Sequence, residues 1–189
     1  FARIFNLARR YRDILVNAKA LPVARYGTNA VSRGDASTRL LTLRNLTWEP
    51  VTYTLSSTEE IGLDKAETVE WRQFHPTEKV IGSCRFGETM TVTVPPFRAC
   101  LLLATTKDCP EIAVTGCEYE VVRDTENKPA LVRLLGMPGT QATVSLLSGT
   151  RHFESATLAD RQIPKFAKGE SVTVTFDGAP HTPLPCGLG

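Results

Sequence analysis

Histidine, cysteine and carboxylate side chains are the groups here that could do acid–base, nucleophilic or metal chemistry, and they are sparsely placed. The histidines are His75, His152 and His181, none four residues from another, and neither His-Glu-x-x-His nor Cys-x-x-Cys occurs. Zinc needs clustered ligands of that kind, so no metal site is assigned. Calcium needs no motif, because loop carbonyls and scattered aspartates can hold it. Cys84 and His75 would form a thiol–imidazole pair only if the fold joined them. Otherwise they read as a loop cysteine and a loop histidine before Pro76. No Gly-x-Ser-x-Gly is present. Glycoside hydrolysis needs two carboxylates flanking the scissile bond, and Glu49, Glu59, Glu60, Glu70 and Glu88 are available. Glu59-Glu60 sits in a polar Ser-Ser-Thr-Glu-Glu run and reads as solvated loop. Glu70 falls between Val69 and Trp71, on the outer face of a strand. Nothing pairs these carboxylates, so no catalytic residue and no cofactor is assigned.

Binding is the milder chemistry. Sugars dock on exposed aromatic faces with polar groups nearby. Trp48, Trp71 and Tyr26 are the candidate sugar contacts, with Phe74 and Tyr119 behind them. Trp71 alternates in phase with Val69, which also suits a core position. Trp48 stands at a turn, where it could be exposed or packed under a hairpin. Asn45-Leu46-Thr47 matches an N-glycosylation acceptor and is given no role.

The elements that must position these residues are mainly strands. Ile4, Phe5, Leu7, Ala8, Tyr11, Ile14, Leu15 and Ala18 share one helical face, which predicts a helix over 3–19 that ends at Leu21-Pro22. Residues 26–37 read as loop. Period-2 alternation predicts strands at 39–45, 50–56, 68–74 and 89–94, and the continuous apolar run at 98–105 predicts a central strand. No room is left between them for crossover helices, so the sheets are expected to be antiparallel. Lys107 to Thr115 reads as a linker. A second set follows at 118–123, 130–135, 140–147, 153–158 and 171–176. The expected fold is therefore mainly β: two tandem antiparallel β-sandwich units, 25–106 and 107–189, after one N-terminal helix in 1–24.

The 189 residues carry a net charge of +2 and are 42% hydrophobic. That is enough for a sizeable core. Balanced charge argues against a nucleic-acid partner, which would call for a basic stripe. No apolar run reaches the ~18 residues of a membrane span, so no membrane partner is expected. Five cysteines, Cys84, Cys100, Cys109, Cys117 and Cys186, make an odd and irregular set, unlike a disulfide framework. Only the spacing of Cys109 and Cys117 suggests a pair. The first residue is Phe1, immediately before the helix, and the chain is expected to be the C-terminal piece of a longer polypeptide.

The order helix, then sandwich, with Gly87-Glu88, Thr89–Val94, Pro95-Pro96 and the apolar strand Phe97–Thr105, resembles the end of the α-galactosidase-like (β/α)-barrel glycoside hydrolases. Arg3–Arg12 is similar to the barrel-terminal helix of that clan. The resemblance covers residues 3–106 and implies a secreted or periplasmic, non-catalytic C-terminal accessory domain that packs on the preceding catalytic domain. The clan's catalytic aspartates lie on barrel strands, so none carries over to this chain. Two other readings stand beside it: a carbohydrate-binding or adhesion module, and a structural protein-interaction sandwich.

Overall fold

A computed structural model describes residues 2–125, 127–147, 149 and 152–178. His181, Cys186 and the proline-containing tail lie outside the described residues. The fold is mainly β, and every strand pair is antiparallel. The chain starts with α1 (Ala2–Arg10) and a single turn, α2 (Arg12–Leu15), followed by β1 (Ala18–Ala20), a short α3 (Val23–Tyr26) and β2 (Val31–Gly34). Next come β3 (Thr38–Arg44), β4 (Val51–Ser56), β5 (Thr68–His75), β6 (Lys79–Arg85), β7 (Thr89–Val94) and β8 (Ala99–Thr105).

The expected helix over 3–19 is shorter than its pattern. Residues 18–20 pair with β2 instead, and Gly34 N–H donates to Asn17 O at 3.0 Å. Sheet hydrogen bonds thus take over where the apolar helical period continues, a tertiary override of local preference. β2 falls within the segment read as loop. Its Ser32 is buried and donates from Oγ to Ile61 O at 2.6 Å, so a polar residue serves as a core residue there. β6 was also missed, because Gly82 and Ser83 interrupt its alternation.

One sheet has the order β1-β2-β3-β8-β5-β6, and the pair β4–β7 faces it. Leu41, Leu43, Leu55, Trp71, Val92 and Leu102 fill the space between them. The other face of the large sheet is not open to water. Leu7 of α1 packs there with Leu40, Phe74, Leu103 and Cys109. Strand period explains the split: Val69, Trp71 and Gln73 point one way, Glu70, Arg72 and Phe74 the other. The polar face expected to be the outer one therefore lies under α1 and the segment after β8.

That segment, read as a linker, is buried from Glu111 to Val114 and continues as β9 (Val114–Thr115). Beyond it lie β10 (Glu118–Arg123), β11 (Leu131–Leu135), β12 (Gln141–Leu146), β13 (Thr157–Leu158), β14 (Arg161–Gln162), α4 (Pro164–Ala167) and β15 (Val172–Thr175). β10 pairs with β11, and β12 lies between β15 and β9. Ile112, Val114, Tyr119, Val121, Val144 and Val174 form their own apolar cluster. Cys84, Cys100, Cys109 and Cys117 are free thiols, so Cys109 and Cys117 do not pair.

Charge is concentrated where α1, the large sheet and the later strands meet. Arg3 binds both oxygens of Glu78 at 2.9 and 2.8 Å, and Glu111 Oε2 at 2.7 Å. Arg10 reaches Glu111 Oε1 at 2.5 Å and Asp124 Oδ2 at 3.6 Å. Arg72, fully buried, donates to Glu111 O at 2.8 Å and pairs with Glu70. Burial alone would lower the affinity of Arg3 for its proton, but Glu78 and Glu111 outweigh it and raise the pKa.

Candidate functional site

The site is built from two loops at one end of the sandwich. Asn45–Pro50 joins β3 to β4, and Pro95–Arg98 joins β7 to β8. Pairing of Arg44 with Ala99 and of Val51 with Val94 brings the loops side by side. Asn45 holds them together: its Nδ2 donates to Glu49 O at 2.7 Å and Val94 O at 2.9 Å. Its Oδ1 accepts from Thr47 N at 2.8 Å, an Asx-type turn. The acceptor motif at Asn45 thus has a local structural role. Its amide nitrogen is buried with both hydrogens committed, so the folded chain does not present it.

Trp48 projects from this loop and is 83% exposed. The Phe97 ring meets it edge to face, with centroids 4.7 Å apart at 84°. Phe97 has φ +53°, a left-handed conformation that costs a bulky residue on the order of 1–3 kcal/mol. Leu46 and Phe97 are exposed beside Trp48, so three large apolar side chains crown the tip. A groove of about 400 Å³ adjoins the same loop, lined by Val23, Arg25, Arg44, Leu46, Thr47 and Tyr53. Tyr53 closes its floor by donating to Arg44 O at 2.7 Å. An open aromatic face beside guanidinium and hydroxyl groups can stack on the apolar face of a sugar ring and hydrogen-bond its rim.

Of the three candidate aromatic contacts, only Trp48 offers a face to solvent. Trp71 is fully buried between the sheets, with Nε1 donating to Ser57 Oγ at 3.0 Å. Tyr26 is equally buried, donates to Glu60 Oε1 at 2.7 Å and accepts from Ser56 N. Burial and that carboxylate push the Tyr26 phenol up to about 12. Both are therefore corrected from sugar contacts to core residues. Phase with Val69 had signalled this for Trp71. For Tyr26 no local signal existed, because its burial comes from packing against strands distant in sequence.

The reactive groups are not assembled. Cys84 is on β6 opposite Val69, whereas His75 ends β5 six residues further on, about 20 Å at strand rise. Neither is in a loop as expected, and Cys84 Sγ instead lies 2.9 Å from Ser57 Oγ. Glu60 is tied to Arg25 and Tyr26, Glu70 to Arg72, and Glu88 accepts from Arg85 N. Among the described residues no three His, Cys, Asp or Glu side chains are grouped to hold a metal ion. No helix among them is long and apolar enough to cross a membrane. The sequence reading missed Arg3, Arg10, Glu78, Glu111 and Asp124 as a cluster, since the partners lie as far apart in the chain as Arg3 and Asp124.

No family model, curated protein or solved structure matches the chain.

Proposed function

We propose that this chain is a non-catalytic accessory β-sandwich region of a multidomain carbohydrate-active enzyme, with α1 packed between the sandwich and a preceding catalytic domain. The carrying observation is the two-sided character of α1. Leu7 and the arginine head groups are seated inward, while Ile4 and Phe5 remain outward, Phe5 at 66% exposure. A helix that is apolar on two sides suits a position between two layers. The commitment of Glu60, Glu70 and Glu88 to ion pairs and hydrogen bonds supports a scaffold role. The purified chain is expected to hydrolyse none of a panel of aryl glycosides, and robust turnover would overturn the reading. In the full-length polypeptide, Phe5→Asp is expected to open the junction around residues 1–20 to protease; unchanged cleavage would count against a packed helix.

A second reading, saccharide binding, is favoured by the exposed Trp48–Phe97 pair. Titration with neutral oligosaccharides is expected to quench Trp48 emission in the wild-type chain and not in Trp48→Ala, where Trp71 alone reports. Identical traces for the two proteins would dismiss it.

A further inference from the structure

The ion pairs beneath α1 tie the first sheet to the segment after β8 and to β10. Glu78 lies in the turn between β5 and β6, Glu111 in the connection after β8, and Asp124 just beyond β10. Their side chains are 4%, 0% and 3% exposed. Glu78 also grips β10 directly: its backbone exchanges both hydrogen bonds with Tyr119, at 3.0 and 2.8 Å, and its Oε1 accepts from Val121 N at 3.3 Å. Thr77 Oγ1 adds a bond to Glu118 at 2.8 Å.

Three carboxylates so close and so dry require counter-charge. Arg3 and Arg10, both from α1, supply it to all three. Arg72 faces the same place, but its guanidinium meets the backbone carbonyls of Glu111 and Cys109 and the carboxylate of Glu70. With α1 lifted, Glu78 and Glu111 would be left as like charges in a poorly hydrated junction. Uncompensated buried charge is strongly unfavourable, and hydration of these groups requires the junction to part. The apolar seat of α1, through Leu7, Phe74 and Leu103, belongs to the first sheet and does not by itself hold β10.

We propose that α1 is an electrostatic clamp: its seating neutralises Glu78, Glu111 and Asp124 and thereby keeps the strands after Cys109 docked on the first sandwich. The clamp stands on the ion pairs alone and does not depend on the accessory-region reading. If that reading also holds, movement of the preceding domain on α1 would be transmitted to the far unit.

The test is hydrogen exchange with peptide resolution on the whole chain. Arg3→Met with Arg10→Met keeps much of the aliphatic stems and removes both charges. Exchange at 112–123 is expected to quicken at least tenfold, while 38–56 and 89–94 keep wild-type rates. Adding Glu78→Gln, Glu111→Gln and Asp124→Asn removes the need for counter-charge and is expected to restore most of the protection. Loss spread evenly over the chain, no loss at all, or no restoration by the neutral set overturns the clamp. If the doubly substituted chain does not fold, folding of the fivefold variant supports the clamp, and failure of both overturns it.

Discussion

Under α1, the carboxylates of Glu78, Glu111 and Asp124 are almost out of reach of water, whereas at the sandwich tip Trp48 is 83% exposed. Each region departs from the usual partition of charge outside and apolar surface inside, in opposite senses. The buried charges are matched: two arginines from one helix meet three carboxylates from three segments. The exposed rings are supported by their loop but covered by nothing within the described chain. Matched burial fixes how segments of one chain sit together. An uncovered aromatic tip is available to something outside it.

The largest effect that would sharpen this contrast is at the helix seat. Arg3→Met should lower the local stability of this junction by about 3–5 kcal/mol, because it leaves Glu78 buried without its charged partner. Urea unfolding checks it, and a loss below about 1 kcal/mol would show that the pairs are solvated. Next in size is Asn45→Ala, which removes two donated and two accepted hydrogen bonds from the tip loop. A loss of about 2–3 kcal/mol is expected by the same assay, together with a change in Trp48 emission.

The seat should also respond to alkali. Tyr11 Oη lies 3.6 Å from Cys109 Sγ, and burial pushes both groups up. A raised folded pKa means that this stability is fully present below the unfolded value, about 8.5 for a thiol, and is lost as pH rises toward the folded value. Stability should fall from about pH 8.5 upward, and Cys109→Ala should flatten the first part of that fall. Equal slopes for both proteins would remove the thiol from the account. The smallest expected effect is Trp48→Ala, at about 0.5–1 kcal/mol, since only its edge contact with Phe97 is lost. A much larger loss would make the tip a structural element and erase the contrast.

Alternation was the most legible property of the sequence. Thr–Val and Leu–Thr repeats placed β3, β4 and β7, and a continuous apolar run placed β8, each within one residue at each end, and the phase of Trp71 with Val69 pointed to the core. The tip was legible in part, as a tryptophan at a turn. Its exposure was not, because it depends on how the β7–β8 loop places Phe97 beside it. The helix was overextended because residues 14–18 keep an apolar period that sheet pairing overrides.

Residue order alone therefore determined the strand class, the antiparallel pairing and most of the apolar faces, since each rests on side-chain period over a few neighbours. Only the tertiary structure decided that Glu111–Val114 is buried, that Tyr26 lies in the core, and that Arg3, Arg10, Glu78, Glu111 and Asp124 form one junction. Charge pairing acts through space, across separations as long as that from Arg3 to Asp124, and leaves no periodic trace along the chain.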